Sequence, residues 1–418
     1  MPKKIYDKII IGGGAAGLMA AYSACLVRSN ANEKPEILVL EANDKPGKKI
    51  TATGNGKCNF TNMNQSPECY RSRDPEKAFR IIQRFDNEKT INLFNSLGIL
   101  CTERNGYCYP YGEQARTLRD VLLSRAVSLG TAIYTGKKVI DISKRDGLFN
   151  VECKDQTSYS SKKLVVCAGG AASPVFGSDG SMFSILENMG FTIVKPKPAL
   201  CGLFLNSKIL KRIEGVRIRC KCSLYINEQR NSVYEERGEV VFNRNGISGI
   251  PVMNLSRFAI NALESNEHPV LRLDFFPDMN IKALKQYMCS LAQSSVVPIG
   301  SALSALINDK LLSVLLEETG LDFDGLTTAS DSKTIRQGLG TLAGLFKGLK
   351  LPIKGYAGFE FAQTTQGGVI LKEINEMTME SIKYPGMFFA GEILDVDGMC
   401  GGYNLQWAWT TGYLAGKN

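Results

Sequence analysis

The chain has 418 residues, of which 44% are hydrophobic and 22% charged, as is typical of a globular protein of two or three domains. No apolar run reaches the ~18 residues that a membrane-spanning helix needs, which excludes a membrane-embedded protein. The net charge of +9 comes from basic residues dispersed among acidic and apolar ones, without an RNA- or DNA-binding motif. This pattern favours a solvated basic surface that attracts anionic cofactors or substrates over a nucleic-acid partner.

The first predicted elements form a strand–helix–strand unit. Ile5–Ile11 is a continuous apolar run that ends in glycines, as a buried parallel strand does. No cleavage segment follows this run, so it is a strand rather than a signal peptide, and we expect a cytoplasmic protein. Ala15–Arg28 is predicted to be a helix and Ile37–Leu40 a second buried strand.

A helix and several strands follow. Arg116–Leu129 has its leucines and valine at helical spacing. Short strands are predicted at Ala132–Tyr134, Val139–Ile142, Leu148–Cys153 and Leu164–Cys167. These elements extend the α/β pattern to about residue 195.

The pattern then changes twice. Residues 196–277 contain short alternating runs separated by turn residues, which predicts a small β-barrel or sandwich. Residues 281–349 show helical spacing, with a last helix over 335–349 that Pro352 and Gly355 terminate. We therefore predict an α/β domain over residues 1–195, completed by 351–418 and interrupted by a β-barrel domain (196–277) and a helical domain (278–350).

Cysteine and histidine usage excludes several kinds of site. The twelve cysteines contain no C-x-x-C pair, and the nearest two are Cys220 and Cys222. This spacing argues against zinc sites and against a thioredoxin-like redox pair. His268 is the only histidine, which removes most metal centres and histidine-based catalytic dyads. We expect no metal site.

Residues 12–17 match a dinucleotide-binding fingerprint, G-x-G-x-x-G, placed between a strand and a helix. Gly12 permits the tight turn, Gly14 lets the backbone approach a pyrophosphate, and Gly17 lets helix and strand pack closely. Ala15 and Ala16 open the helix, whose N-terminal N–H groups favour phosphate.

Glu41 stands at the end of the second strand, where a carboxylate accepts hydrogen bonds from the hydroxyls of an adenosine ribose. An acid at this position disfavours a 2′-phosphate, so FAD or NAD is expected. Together with the fingerprint, Glu41 favours dinucleotide binding over a glycine turn that serves packing alone.

The C-terminal residues favour FAD. A strand ending at Ala390 leads into Gly391 and Glu392, and residues 401–406 open a helix rich in Trp, Ala and Gly. In proteins that stretch FAD across one domain, a carboxylate at such a strand end meets the ribityl chain, and the next helix N-terminus faces the flavin pyrimidine. An NAD-binding domain needs no such second anchor. No attachment residue is evident, so non-covalent FAD is expected.

Several segments resemble the BaiN/YhiN-like flavoproteins, also represented by aminoacetone oxidase. The first is residues 47–62, which fit the pattern G-[KR]-K-x₄-G-x-G-[KR]-C-N-x-T-N. Further matches occur in the same order along nearly the whole chain, at residues 167–170, 173–174, 246–251, 367–369, 378–381 and 391–406. One departure is Ile250 before Pro251, where the family usually has Gly-Pro.

The resemblance implies a glutathione-reductase-type FAD-binding Rossmann-like domain with an inserted small β-barrel domain and a helical domain. It also implies where further residues lie. Lys48, Lys49, Gly54 and Asn59 would lie along the isoalloxazine, although a solvated loop is an equal alternative for the two lysines.

At the remaining positions the resemblance implies contacts from both halves of the chain. Val139 would contact adenine through its backbone, and Ala168 and Gly169 would pass near the nucleotide. Glu392 or Asp395 would take the ribityl hydroxyls, and Asn404 and Leu405 would lie at the flavin pyrimidine. Cys58 and Cys400 stand near these motifs and are interpreted as inert thiols.

These features predict an FAD-dependent oxidoreductase. The leading hypothesis, from the resemblance, is an NAD(P)H-dependent reductase of a small conjugated substrate, enone or steroid-like, by hydride transfer through flavin N5. NAD(P)H would be a transient electron donor, because the chain has one dinucleotide fingerprint. The sequence names no proton donor, so the catalytic residue is unassigned.

Two alternatives stay open. The same scaffold serves an oxygen-using flavin oxidase of a small amine such as aminoacetone. The third hypothesis is an RNA-associated flavoprotein, which is supported only by the net charge of +9. The sequence does not indicate the oligomeric state.

Overall fold

The computed structural model describes residues 4–29, 36–227, 229–294, 298–320 and 332–418. Its β-strands are β1 (Ile5–Ile11), β2 (Ile37–Leu40), β3 (Thr61–Asn62), β4 (Tyr70–Arg71), β5 (Cys101–Arg104), β6 (Tyr107–Pro110), β7 (Ala132–Tyr134), β8 (Val139–Arg145), β9 (Leu148–Cys153), β10 (Ser158–Val166), β11 (Ile193–Ala199), β12 (Leu203–Leu205), β13 (Arg217–Ile226), β14 (Tyr234–Asn243), β15 (Gly246–Ser248), β16 (Pro269–Asp274), β17 (Leu349–Tyr356), β18 (Thr364–Val369), β19 (Met387–Phe389) and β20 (Asp397–Gly398).

Its α-helices are α1 (Ala15–Ser29), α2 (Lys48–Ala52), α3 (Pro75–Arg84), α4 (Asn87–Ser96), α5 (Ala115–Ser128), α6 (Ser181–Asn188), α7 (Ile250–Glu264), α8 (Ile281–Ser294), α9 (Ile299–Leu303), α10 (Asp309–Glu317), α11 (Ser332–Gly348) and α12 (Tyr403–Lys417). Within the described ranges, no helix is both long and apolar enough to span a membrane.

The chain divides into two compact units. The first consists of Met1–Ala199 and Phe359–Asn418, and the second of Leu200–Gly358. The predicted barrel and helical domains therefore fall almost entirely in the second unit, and their division from each other stays a prediction. Residues 295–297 and 321–331 of the predicted helical domain lie outside the described residues.

The first unit is built on a mixed β-sheet. Its strand order is β7-β2-β1-β10-β9-β8, and β19 also pairs with β10. β7, β2, β1, β10 and β19 are parallel to one another, whereas β9 and β8 pair antiparallel. The C-terminal parts of β1, β2 and β10 are apolar and buried, as expected where both faces of a sheet are covered. This is a Rossmann-type fold, as the sequence predicts.

Helices α1 and α12 pack closely against each other, which joins the two ends of the chain. A Cβ on Gly412 would lie 2.4 Å from the carbonyl oxygen of Ala16, and one on Gly416 would lie 2.2 Å from that of Ala20. The absence of side chains at these two glycines therefore permits the close approach of the helix backbones. Lys8 of β1 donates to the carbonyl oxygen of Gly416, and its charge suits the C-terminus of α12.

The second unit contains a closed six-stranded barrel with the order β12-β15-β14-β13-β16-β17. Helices α8, α10 and α11 share one apolar core with this barrel. Phe242 and Leu273 of the barrel belong to the same buried cluster as Leu311 and Phe346 of the helices. The small barrel predicted for this part of the chain is thus present.

The last inserted helix, predicted to run to Leu349, ends one residue earlier. α11 stops at Gly348, and β17 begins at the next residue. Side chains of β17 alternate between buried and exposed, with Leu349, Leu351 and Ile353 inside and Lys350, Pro352 and Lys354 outside. This period of two is that of a strand, and Pro352 is not a helix terminator but the strand partner of Val270. Strand β17 closes the barrel, although it lies far along the chain from the other five strands.

Candidate functional site

Four parallel strands of the first unit end at the same level. Ile11 of β1 pairs with Leu40 of β2 and with Val166 of β10, and Val166 also pairs with Phe389 of β19. The segments that follow these residues therefore meet at one edge of the sheet. In open α/β sheets this edge, outside the carboxyl ends of the strands, is where ligands bind.

The glycine-rich loop after β1 has the geometry of a phosphate cradle. Gly12 has φ 98°, and a Cβ there would lie 2.4 Å from the carbonyl oxygen of Cys167. A Cβ on Gly17 would lie 1.8 Å from the carbonyl oxygen of Gly12. At Gly14, by contrast, no atom lies within 4 Å of the Cβ position. The backbone is open there, just before the N–H groups of α1, which begins at Ala15.

Glu41 is buried beside this loop and has partners that the sequence did not predict. Its Oε2 accepts from the backbone N–H of Gly13 at 2.7 Å. Its Oε1 accepts from the backbone N–H and the side-chain amide of Asn43, at 2.8 and 2.9 Å. A carboxylate has about four lone-pair sites, so these three hydrogen bonds leave room for one further donor. Glu41 therefore also fixes the shape of the loop.

The segment that leads into β8 lies next to Glu41. The N–H of Gly136 donates to the carbonyl oxygen of Asn43 at 2.9 Å, and that of Lys137 donates to the carbonyl oxygen of Glu41 at 2.8 Å. Val139 follows two residues later as the first residue of β8 and is 5% exposed. The structure thus brings Val139 near the predicted ribose carboxylate.

The ends of β10 and β19 bring further predicted residues to the same edge. The Cα of Ala168 lies 3.1 Å from the Cβ position of Gly12, and Gly169 follows with φ 77°. Gly391, after β19, faces α1, because a Cβ on it would lie 2.9 Å from the Cβ of Ala16. The strand ends predicted to hold the cofactor are therefore adjacent.

Lys49 and Glu392, which are 343 positions apart, form an ion pair. Lys49 Nζ lies 2.9 Å from Glu392 Oε2, and Glu392 Oε1 accepts from the N–H of Thr365 at 2.9 Å. About a quarter of the Lys49 side chain and a fifth of the Glu392 side chain are exposed, 27% and 20%. Lys48 instead pairs with Asp44 on the surface. The two lysines thus differ: one joins the N- and C-terminal signatures, and the other is solvated.

Asp395, the alternative to Glu392, is almost fully buried, with 2% exposure. One of its carboxylate oxygens accepts from the backbone N–H of Arg73 at 3.2 Å. Glu392 is the more accessible of the two carboxylates.

The signature loop around residues 54–59 has an unusual backbone. Gly54, Asn55, Gly56 and Cys58 all have positive φ. Cys58 is fully buried, and burial raises the pKa of its thiol to about 12, which makes it unreactive at neutral pH. Asn59 Oδ1 accepts from the N–H of Cys108 at 3.2 Å. These residues shape the loop with their backbone and amide groups.

The end of this signature is bound to α12 and to the loop before it by three hydrogen bonds. The Trp409 indole donates to the carbonyl oxygen of Phe60 at 3.0 Å, and the Asn62 amide donates to that of Gly401 at 2.9 Å. The Thr61 hydroxyl donates to Gln406 Oε1 at 2.5 Å.

Gln406 is the centre of this contact. It is fully buried, and its amide nitrogen lies 3.0 Å from each of three acceptors, the Phe85 carbonyl oxygen, Thr90 Oγ1 and Thr410 Oγ1. The sequence analysis did not predict this network, although it singled out both segments that form it, residues 47–62 with Thr61 and residues 391–406 with Gln406. Their spacing along the chain gave no sign that they touch.

The N-terminus of α12 follows two glycines, Gly401 and Gly402, with positive φ. Its first turn leaves leading N–H groups without intrahelical acceptors. The Asn404 side chain does not point away from the protein: it accepts from the N–H of Gly398 at 2.8 Å and donates to that residue's carbonyl oxygen at 2.9 Å. Leu405 is half-buried against the core. The backbone, rather than the Asn404 amide, is therefore what this turn offers to a ligand.

The arrangement fits a flavin dinucleotide. The open backbone at Gly14 and the start of α1 suit a pyrophosphate. Glu41 can still accept one hydrogen bond from a ribose hydroxyl. The start of α12, in the same unit, offers a second helix N-terminus to the cofactor. Among the residues that the structure covers, no group of three or more His, Cys, Asp or Glu side chains could hold a metal ion.

Comparisons with known proteins agree with this geometry. The chain is 35% identical over 413 residues to the 3-dehydro-bile acid delta(4,6)-reductase of Clostridium scindens, covering 98% of this chain and 97% of that protein. It is 26% identical over 418 residues to the ribosomal RNA dihydrouridine synthase of Escherichia coli, covering 99% and 98%. A flavocytochrome c3 fumarate reductase structure superimposes with a TM-score of 0.50 at 15% identity, over all of this chain and 78% of that one, which shows a shared fold.

The predicted resemblance to BaiN/YhiN-like flavoproteins is confirmed, and the protein is an FAD-dependent oxidoreductase. Residues 6–418, nearly the whole chain, match the family described as HI0933-like protein Rossmann domain, and the chain belongs to that family.

Proposed function

We propose that the protein is an NAD(P)H-dependent reductase of a carbon–carbon double bond conjugated to a carbonyl, in a small enone of steroid-like type. The observation that carries this proposal is the 35% identity, over nearly the full length of both chains, to a reductase of a 3-dehydro-bile acid. That relative's name describes a ketone conjugated with double bonds. An acceptor of this kind takes up a hydride at one carbon and a proton at its neighbour.

Bound FAD would supply the two-electron chemistry at its N5. In this proposal Gly12, Gly14 and Gly17 with the start of α1 hold the pyrophosphate, and Glu41 holds the adenosine ribose. Of the two C-terminal carboxylates we favour Glu392 for the ribityl side, because 20% of its side chain is exposed whereas Asp395 is 2% exposed. Lys49, 2.9 Å from Glu392 Oε2, orients this carboxylate.

Further residues complete the proposed site. Backbone groups of Val139, Ala168 and Gly169 line the adenosine side, whereas Gly54, Asn59, Asn404 and Leu405 belong to the segments nearest the flavin. Lys48 pairs with Asp44 and is not needed for binding in this proposal. NAD(P)H would reach the flavin transiently, because the chain contains one dinucleotide fingerprint.

An anaerobic half-reaction screen tests the function. The purified protein is reduced with NADH or NADPH, and 2-cyclohexen-1-one, a 3-oxo-4,6-diene bile acid or aminoacetone is then added without oxygen. We expect the conjugated carbonyl compounds to restore the oxidised flavin spectrum and to yield saturated products. Poor saturation with NAD(P)H and its competition with the enone would indicate ping-pong use of one site. Failure of both nicotinamides, with peroxide formation from aminoacetone and oxygen, would contradict the proposal.

A second candidate is reduction of uridine in RNA. Two relatives of nearly equal length, from Escherichia coli and Haemophilus influenzae, are ribosomal RNA dihydrouridine synthases at 26% and 28% identity. The ring double bond of uridine is also conjugated to a carbonyl, so one site chemistry would serve both substrates. Incubation of reduced protein with ribosomal RNA lacking dihydrouridine, followed by nucleoside mass spectrometry, separates the candidates. Dihydrouridine formation without enone turnover would favour RNA.

Replacement of Glu41 by alanine should weaken FAD binding about tenfold to a hundredfold. A hydrogen bond to a charged group contributes roughly 1.5–3 kcal/mol, and ~1.4 kcal/mol corresponds to a factor of ten. Fluorescence titration of the apoprotein with FAD measures the effect. Asp44→Ala, three residues away on the surface, is the matched control and should leave the affinity unchanged. Equal affinities for the two variants would show that Glu41 does not contact the cofactor.

A further inference from the structure

The proposed reaction needs a proton donor, and the first unit contains a tyrosine suited to that task. Tyr109 lies on β6, which pairs with β3 and β5. It is half-buried, and no group in the described parts of the chain hydrogen-bonds to its hydroxyl. Two other tyrosines of this unit have such partners: the Tyr70 hydroxyl donates to Gln65 at 2.6 Å and the Tyr403 hydroxyl to the Asn64 carbonyl at 2.9 Å.

The position of β6 directs Tyr109 toward the start of α12. Tyr107 and Tyr109 lie on the same face of the strand because side chains alternate. Tyr107 packs on the loop before α12, since a Cβ on Gly401 would lie 2.8 Å from a ring carbon of Tyr107. The charge state of Cys400, in that same loop, influences Tyr109. Tyr109 therefore lies at the segment proposed to face the flavin.

The charged groups that act on the Tyr109 phenol include a cation, Lys57, which lowers the pKa of the phenol. Lys57, in the signature loop, lies 2.8 Å from Glu113, which also pairs with Arg104. These two cations hold the pKa of Glu113 below its usual range, so its carboxylate stays charged and keeps Lys57 in place. Lys57 lowers the pKa of Tyr109, but burial raises it more, so the phenol keeps its proton at neutral pH. A phenol that is protonated at neutral pH, and whose phenolate is stabilised by the charge of Lys57, can act as a general acid.

We propose that Tyr109 is the general acid that protonates the substrate, and that Lys57 stabilises the resulting phenolate. The inference rests on the proposed reductase function. In the step, the β-carbon of the enone gains a hydride whose electrons come from NAD(P)H, and the π-electron pair shifts to the α-carbon and carbonyl. The O–H bond of Tyr109 then breaks and a C–H bond forms at the α-carbon. Solvent water returns a proton to the phenolate, so atoms and charge balance.

The test compares Tyr109→Phe with Tyr111→Phe, since Tyr111 is 68% exposed and two residues away. We expect Tyr109→Phe to bind FAD and to be reduced by NAD(P)H like the wild type. Its reoxidation by 2-cyclohexen-1-one should be slower by about a hundredfold or more, the usual contribution of a general acid. Tyr111→Phe should behave as wild type in all three measurements.

A near-ultraviolet pH titration gives a readout independent of turnover. The ionisation that disappears in Tyr109→Phe should lie above the ordinary tyrosine value of about 10, and Lys57→Met should move it to still higher pH. Unchanged reoxidation of Tyr109→Phe, or an ionisation insensitive to Lys57→Met, would overturn the assignment while leaving the function intact. A wild type that no conjugated carbonyl compound reoxidises would refute the function and the assignment together.

Discussion

Alanine at Gly17 is expected to abolish FAD binding and to destabilise the protein, whereas alanine at Gly14 should affect only the binding. A Cβ at Gly17 would lie 1.8 Å from the carbonyl oxygen of Gly12. That oxygen belongs to the backbone and the backbone also fixes the Cβ, so neither atom can move away cheaply. Overpacking costs about 1–3 kcal/mol, and occasionally more. Thermal unfolding should show a clear loss of stability in Gly17→Ala.

The Gly14→Ala variant separates the effect on FAD binding from any effect on stability. No atom lies within 4 Å of its Cβ position, so Gly14→Ala should unfold at the wild-type temperature. Its methyl group would occupy the space through which a pyrophosphate approaches the backbone, and FAD affinity should fall at least about tenfold, or ~1.4 kcal/mol. Calorimetric titration with FAD measures this. Wild-type affinity in Gly14→Ala would show that the phosphates lie elsewhere.

Replacement of Gln406 by leucine should be among the most destabilising single changes on α12. Its amide is fully buried and bonds to Thr61, Thr90, Thr410 and the Phe85 carbonyl oxygen. Leucine has a similar size but leaves the Thr61 and Thr90 hydroxyls without this partner, at about 1–3 kcal/mol for each buried group that stays unsatisfied. The Thr410 hydroxyl still donates to the Phe85 carbonyl oxygen at 2.6 Å. We expect a loss of several kcal/mol in the free energy of unfolding, measured by urea denaturation.

The same variant should also bind FAD less tightly, because the network fixes the signature loop against the start of α12. Lys417→Ala, at the exposed end of the same helix, is the control and should change neither quantity. If Gln406→Leu is as stable as wild type, the hydrogen bonds of Gln406 do not contribute to the free energy of unfolding, and the packing around them holds α12 in place without them.

Sequence reasoning succeeded where neighbouring residues alone define the structure. The bounds of β1, β2 and β9 were predicted as observed, and those of α1 within one residue. The fingerprint at residues 12–17 was placed correctly between strand and helix. Turn geometry and the periods of strands and helices act over a few residues, so they can be read from a short stretch of chain.

Strand β17 shows the limit of this reasoning. Residues 349–356 carry leucines that continue the helical spacing of α11, and they also alternate with the period of a strand. Local pattern fits both structures. Only the barrel decides, because Leu349 and Leu351 pair with Leu273 and Leu271 of β16 and fill its open edge.

The sequence by itself determined the local parts of the site: a glycine turn, the carboxylate at Glu41, a second carboxylate near residue 392 and a late helix. Only the tertiary structure decided which of these meet. It joined Lys49 to Glu392 and Thr61 to Gln406, separated Lys48 from Lys49, buried Asp395 and brought Tyr107 to the loop before α12. Such contacts join residues up to 345 positions apart, and folding of the sheet and packing of α12 on α1 create them. Spacing along the chain carries no information about them.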